Sequence, residues 1–422
     1  MNEPDAVQEF RRAAASSPRM FWLDGGGATP WSGTRSVIGT LADDDVSLTF
    51  DATTRTVLRH QGGRFHLAGT DIFEVLEEEI ARDDGDPAVS WVGYLGYACR
   101  TDLPGRPADL DEGVPDAVWM RVRDPLVLTG SPVSTYEPEP VSKGEHHVPA
   151  EYGQGFAEVQ RQLRLGNSYE VNLTYRDGMA SGTDPVATYL RLRALNPAPY
   201  AGYLQHHGVH LLSSSPERYA TVDRHRMLEA KPIKGTTPRG RTTEEDERTR
   251  AHLATDPRFR AENLMIVDLL RNDLSMVCAP GTVVVPSLME VESYHSVHQL
   301  VSTVRGRLRD EVTTMSALRA LFPAGSMTGA PKLRTMEIID AVETSPRGVY
   351  AGAFGWLSAD GRADLSVVIR TLVAHRDGVG WRYTWGTGGG VTVRSTAEDE
   401  FAETRWKAAR LRAALQPLGG RG

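Results

Sequence analysis

Short runs in which apolar and polar residues alternate recur along this chain, and helical stretches fall between them in no regular order. That pattern constrains the fold more than any other feature. Alternation with a period of two describes a strand with one face in a core. A doubly wound parallel sheet would need a regular strand–helix rhythm, which is missing, so an α+β fold is expected. Strands are expected at 36–39, 46–50, 56–58, 171–175, 209–214, 219–222, 282–286, 349–357, 365–373 and 381–385. Helical spacing of apolar residues predicts helices over 71–82, 152–165, 256–271, 333–341 and 396–415, with Gly166 capping the second and Pro417 ending the last. Residues 1–20 read as a polar, helical arm, and no internal repeat is evident. The stretch 130–149, rich in Pro, Ser and Glu, divides a strand-rich N-terminal lobe (1–140) from a larger catalytic region (150–420) packed closely against it.

With 422 residues, 40% of them hydrophobic, the chain can build a large core without disulfides or metal. Its formal net charge of −8 argues against a nucleic-acid or anionic-membrane surface. Cys99 and Cys278 stand apart, outside any metal-ligand spacing, and suit a reducing cytoplasm. The start of the chain has no apolar core of a signal peptide, and no stretch approaches the roughly 20 apolar residues of a membrane span. A soluble, cytoplasmic protein is expected, with no nucleic-acid or membrane partner.

Six segments carry chemistry. Lys231-Pro232-Ile233-Lys234-Gly235-Thr236 reads as a tight turn with an amine at its apex. Glycine lets backbone approach a ligand, and a partly desolvated lysine sheds its proton more easily and becomes a nucleophile. An ordinary loop lysine fits the same six residues. Ser213-Ser214-Ser215-Pro216-Glu217-Arg218 joins two expected strands; Glu217 is a general acid if burial raises its pKa, or a surface acid neutralised by Arg218. Glu262 enters one helix, and Glu400 and Glu403 share a face of another with Lys407 four residues beyond Glu403. Together the three carboxylates suit a hard-oxygen Mg²⁺ site; separately they suit exposed ion pairs. Gly386-Thr387-Gly388-Gly389-Gly390 reads as a loop whose bare N–H groups can hold a carboxylate or phosphate, or as a simple turn. Ser326 and Thr328 offer hydroxyls to a ligand or to a helix cap. His206, His207 and His210 read as surface, and His295 and His298 as satisfied structural histidines.

Taken jointly these segments are specific. Pro-Ile-Lys-Gly-Thr, Ser-Pro-Glu-Arg, Arg-Ala-Glu-Asn-Leu-Met-Ile-Val-Asp, Gly-Ser-Met-Thr-Gly-Ala-Pro-Lys and Glu-Phe-Ala-Glu-Thr occur in one chain, which resembles the chorismate-utilising enzymes. Within that family it looks most like component I of the aminodeoxychorismate synthases, which carry lysine where Lys234 stands; anthranilate synthases carry alanine there. The resemblance is strong from about residue 151 onward, and Pro30-Trp31-Ser32 and Gly93-Tyr94-Leu95-Gly96-Tyr97 echo the family's N-terminal lobe. It implies two large, mostly antiparallel sheets packed together and flanked by helices. It also implies that Lys234 attacks C2 of chorismate and Glu217 protonates the departing C4 hydroxyl. Glu262 and Glu403 would hold Mg²⁺ on one substrate carboxylate, with Glu400 acting through water. Tyr350, Arg370 and the N–H groups of Gly388, Gly389 and Gly390 would hold the other carboxylate. Gly235, Thr236 and Ser326 would line the site and Lys407 would support the metal side. Ammonia would come from a separate glutamine amidotransferase subunit, and the product would be 4-amino-4-deoxychorismate, on the route to 4-aminobenzoate and folate. The alternatives are anthranilate, isochorismate or 2-amino-2-deoxyisochorismate synthesis. Trp31, Ser32, Pro199 and Tyr200 would wall a tryptophan pocket. Three positions depart from or vary within the family pattern: Lys231, Arg394 and Gln299.

Overall fold

The computed structural model describes residues 5–25, 35–108, 113–129, 147–294 and 297–416. In chain order its strands are β1 Arg19–Asp24, β2 Arg35–Thr40, β3 Ser47–Asp51, β4 Thr56–Gln61, β5 Arg64–Gly69, β6 Val89–Leu95, β7 Ala117–Arg123, β8 Leu126–Thr129, β9 Glu170–Ser181, β10 Tyr200–His206, β11 Val209–Ser215, β12 Arg218–Val222, β13 Met227–Lys231, β14 Ile233–Pro238, β15 Val284–Ser293, β16 Val297–Arg307, β17 Gly329–Ala330, β18 Ala353–Ser358, β19 Ala363–Val367, β20 Thr371–Asp377 and β21 Gly380–Val391. The helices are α1 Ala6–Ser16, α2 Ile72–Ala81, α3 Ala150–Arg164, α4 Pro185–Leu195, α5 Thr243–Thr255, α6 Pro257–Ser275, α7 Thr314–Leu321, α8 Lys332–Val342 and α9 Ala397–Leu415.

The strands form two antiparallel sheets. One has nine strands in the order β17-β9-β21-β20-β11-β10-β1-β2-β8. The other has twelve, in the order β14-β16-β13-β12-β19-β18-β6-β7-β3-β4-β5, with β15 also on β16. Early and late strands mix in both: β1 pairs β10, and β6 pairs β18. The α+β architecture of two large sheets flanked by helices is therefore the one expected. Between the sheets lies a core of Phe21, Leu204, Leu211 and Val373 from one side and Val92, Tyr94, Met120 and Phe354 from the other. Helices α2, α6 and α7 cover the outer face of the larger sheet through Phe73, Leu76, Ile266, Leu270 and Leu318. Helices α1, α4 and α9 cover the smaller through Phe10, Tyr189, Leu192 and Leu411.

Local sequence explains the helix starts. Asp71 accepts from the N–H groups of Phe73 and Glu74, and Asp256, followed by Pro257, accepts from Arg258 and Phe259. Gly166 takes a positive φ of 76° just past α3, as a left-handed cap requires. Several expectations need correction. The single strand expected at 365–373 is two strands, β19 and β20, in different sheets. Residues 349–352 form a turn before β18. Helix α6 runs on to Ser275, β9 to Ser181, and β15 starts at Val284. Among the described residues no helix is long and apolar enough to cross a membrane.

Candidate active site

Two connections between the sheets build the site. The chain leaves the smaller sheet at Ser215 and enters the larger at Arg218, which puts Pro216 and Glu217 in the crossing. It returns between Val367 and Thr371, which puts Arg370 in a second crossing with a φ of 50°. Lys234 comes from the edge of the larger sheet. Strand β14 slips register against β16 between Ile233 and Thr236, so Lys234 and Gly235 occupy a bulge rather than the turn apex expected. A bulge re-aims a side chain. Gly235 has a φ of 93°, which favours glycine, and a Cβ there would lie 3.0 Å from both Leu253 and Phe259, a tight fit.

These residues face one cavity of about 490 Å³. Lys234, Glu217, Gly235, Thr236, Ser326, Tyr350, Arg370, Gly388, Gly389, Gly390, Glu262, Glu400, Glu403 and Lys407 all line it, so the fold brings together in one place residues spread over some 190 positions of sequence, from 217 to 407.

Glu217 is buried and accepts a 2.6 Å hydrogen bond from Ser326 Oγ. Burial pushes its pKa up to about 7, against the opposing pull of that hydrogen bond and of Lys234, Lys407 and Arg370. A carboxyl poised near neutrality can deliver a proton. Lys234 behaves differently from expectation. Burial favours its neutral form, yet the Glu170, Glu262 and Glu217 carboxylates outweigh burial and hold its pKa above the usual value. Its Nζ donates to Glu170 Oε1. The amine is thus an ammonium at rest.

The Arg370 carbonyl accepts from Ser214, but its guanidinium makes no hydrogen bond or ion pair among the described residues, and burial lowers its pKa to about 10. A guanidinium without a partner at a cavity wall is an anion receptor. Beside it the glycine run is strand, not loop. Gly388, Gly389 and Gly390 pair with Thr174, Leu173 and Asn172 of β9. Strand β20 reaches only as far as Thr384 on the other edge, so beyond it alternate N–H groups of β21 are free of the ladder. The expected N–H donors survive in reduced number. Tyr350 packs its ring where a Cβ on Gly386 would fall, at 2.1 Å, and its pKa is raised by burial.

The three acidic residues lie along one wall. Arg258 bridges two of them, at 3.0 Å to Glu262 and 2.8 Å to Glu400, and Glu400 also accepts from Ser395 at 2.6 Å. Glu403 pairs with Lys407 at 2.9 Å, and Lys407 donates to the Gly388 carbonyl at 3.0 Å. Burial and the neighbouring Glu403 carboxylate push Glu400 up to about 7, and burial raises Glu262. Among the described residues no three His, Cys, Asp or Glu side chains are gathered as a ligand set. The donors are nevertheless hard oxygens, balanced here by Arg258 and Lys407.

Sequence reasoning missed Glu170 and Arg258. Glu170, Asn172 and Thr174 make a polar face on β9 that is buried throughout, and that face is the readable signal. Other expectations resolve as follows. His206 and His210 are buried, bonded to Ser47 and Tyr203, rather than surface. His298 is satisfied by Ser293 and Asp246. Thr328 bonds back to the Ala324 and Gly325 carbonyls. Lys231 pairs with Glu292, Arg394 is exposed, and Gln299 lines the cavity with its Oε1 buried and unpartnered. Tyr200 spends its hydroxyl on Asp364 and Arg218, and Pro199 is buried just before it. Trp31, Ser32 and His295 lie outside the described residues.

A family model described as chorismate binding enzyme matches residues 131–413. The chain is 39% identical to an aminodeoxychorismate synthase from Streptomyces pristinaespiralis over 98% of its own length, and spans only 64% of that relative. It is 37% identical to aminodeoxychorismate synthase component 1 from Salmonella typhimurium, covering 86% of this chain and 78% of that one. The crystal structure of anthranilate synthase component I from Streptococcus pneumoniae TIGR4 matches with a TM-score of 0.73 at 26% identity, over 91% of this chain and 93% of that one.

Proposed function

The chain belongs to the chorismate binding enzyme family, and from that premise we propose that it aminates chorismate at C4, giving 4-amino-4-deoxychorismate. The observation that carries this reading is one cavity holding a buried lysine and a buried carboxylic acid poised near pH 7. Chorismate is a dianion with a hydroxyl leaving group and no strong electrophilic centre. Displacement of that hydroxyl needs an acid for the oxygen, a nucleophile for the ring and cations for the carboxylates. Glu217 gives its proton to the C4 oxygen while Lys234 attacks C2. Ammonia then enters at C4 and expels the lysine, so one difficult substitution becomes two easier ones.

Arg370, Tyr350 and the free N–H groups among Gly388–Gly390 receive one carboxylate. Gly235, Thr236 and Ser326 shape the remaining wall. Glu262 and Glu403, with Glu400 through water, are the groups that would hold Mg²⁺, and the ion would neutralise the second carboxylate when bound. Lys407 ties Glu403 to β21 and so fixes that wall. The ammonia donor is a separate glutamine amidotransferase subunit, and the setting is cytoplasmic.

Purified protein given chorismate, Mg²⁺ and ammonium should form the C4-amino product, identified by mass and ultraviolet spectrum. Lys234→Ala should lose it. A product substituted at C2 would overturn this reading in favour of the anthranilate or isochorismate type.

A further inference from the structure

Resting on that reading, we propose that Glu170 is the base that converts the Lys234 ammonium into the nucleophilic amine. The reaction needs a neutral Nζ, and the resting site holds a charged one. Something in contact with Nζ must take the proton. Glu217 cannot, because in the same step it is a proton donor. Glu262 is already engaged by Arg258 at 3.0 Å. Glu170 is the carboxylate that Nζ touches.

Three observations fit Glu170 to this task. It is 1% exposed, and its second oxygen, Oε2, is buried without any hydrogen-bond partner. Most buried carboxylate oxygens are hydrogen-bonded, since each open lone pair costs stability. An open, dry oxygen is a place where a proton can reside. Next, Glu170 is not part of the cavity wall, although Lys234 and Gly390 are. A proton passed to Glu170 therefore leaves the substrate's side of Nζ. Finally, the contact is built in from two sides. The Glu170 carbonyl accepts from Ser168 Oγ at 2.8 Å, and its residue pairs with Ala330 of β17. Over its side chain lies Gly390, where a Cβ would fall 2.2 Å from Oε1 and 3.2 Å from Lys234 Nζ. Substrate closing the cavity removes water from the pair, and a dry site favours a neutral amine beside a neutral acid.

The cycle balances. Lys234 gives a proton to Glu170. The C2–Nζ bond forms and the C4–O bond breaks, with the Glu217 proton leaving in water. Incoming ammonium gives a proton to Glu217, and ammonia bonds C4 while the C2–Nζ electron pair returns to nitrogen. Glu170 then hands its proton back to Lys234.

Glu170→Gln keeps the shape and a hydrogen bond but cannot accept a proton. In the intact enzyme with chorismate, Mg²⁺ and ammonium, kcat should fall about a hundredfold while KM for chorismate stays within about threefold. Without ammonium, intact-mass analysis should find a chorismate-derived adduct on Lys234 in the wild type and none in this variant. A kcat within about threefold of wild type, or a raised KM at unchanged kcat, overturns the proposal. Should the Gln variant not fold, Glu170→Asp decides: a slowed but detectable adduct supports the base, and bound chorismate without adduct refutes it. Lys234→Ala keeps the two claims apart. Full amination by that variant removes the covalent reading itself, whereas a dead Lys234→Ala beside a fully active Glu170→Gln removes only the role of Glu170.

Discussion

Glu217→Gln should make the protein more stable and nearly inactive at once. Glu217 is 5% exposed, and burial carries its pKa from an ordinary 4.5 to about 7. The folded state therefore keeps a proton that the unfolded chain releases at lower pH. A raised carboxyl pKa contributes stability that is fully present below about pH 4.5 and is lost as pH rises through about 7. At about 1.4 kcal/mol per pH unit, the loss reaches about 3 kcal/mol by pH 8. Glutamine is neutral at every pH and still accepts from Ser326 Oγ. Thermal or urea midpoints of the two proteins should lie close together at about pH 5, and the variant should lead by up to about 3 kcal/mol at about pH 8. Amination should meanwhile drop by about 10²–10⁴. Wild-type kcat/KM should decline above about pH 7, where the donor form is titrated away, and the residual rate of the variant should lack that limb. A stability gap that stays constant with pH, or a Gln variant with wild-type turnover, would refute the reasoning.

Three further substitutions probe other parts of the site. Gly390→Ala places a Cβ 2.2 Å from Glu170 Oε1; it should cost about 1–3 kcal/mol in an unfolding measurement and depress kcat through the displaced carboxylate, and unchanged turnover would contradict the close approach. Arg347→Met strands Glu343, a carboxylate 4% exposed that now binds the guanidinium at 2.7 and 2.9 Å; a loss of about 3–5 kcal/mol is expected in urea titration, and an unmoved midpoint would be inconsistent with a buried pair. Arg370→Gln removes a cation that has no partner among the described residues; KM for chorismate should rise about tenfold or more at unimpaired thermal stability, as loss of a charged hydrogen bond implies, and an unaltered KM would place the carboxylate elsewhere.

The fold class was legible because two-residue alternation survives wherever one face of a strand meets a core. It failed where strands change sheet. Residues 365–373 read as one apolar run, yet the chain turns at Arg370 and delivers β19 and β20 to opposite sheets. Of charged residues only Arg370 interrupts the run, and the residues flanking it on both sides stay largely buried. The glycine run at 386–390 read as a loop for the opposite reason. Glycine is rare inside strands, but here Tyr350, Thr174 and Glu170 each occupy the space a Cβ would take. The acidic wall was readable from helical spacing in α9, whereas Arg258 bridging it was not, since the contact spans 142 residues.

The protonation of Lys234 shows where local sequence stops informing chemistry. Its neighbours Ile233 and Gly235 suggest desolvation, and desolvation is indeed the largest single influence on the amine, in the expected direction. Burial alone therefore pushes toward the neutral nucleophile that the segment promised. The outcome reverses because a carboxylate 64 residues earlier, on a different sheet, ends against the same nitrogen. A strand reading Glu170-Val171-Asn172-Leu173-Thr174 is what a half-exposed edge looks like, with polar side chains toward water. In this molecule that polar face is turned inward and buried, so its first residue meets a buried cation rather than solvent. On the proposed reading, the contact that holds the charge on the lysine at rest is also the one that carries the proton away during turnover. An isosteric amide at position 170 separates these two duties, because it leaves the contact and abolishes the transfer.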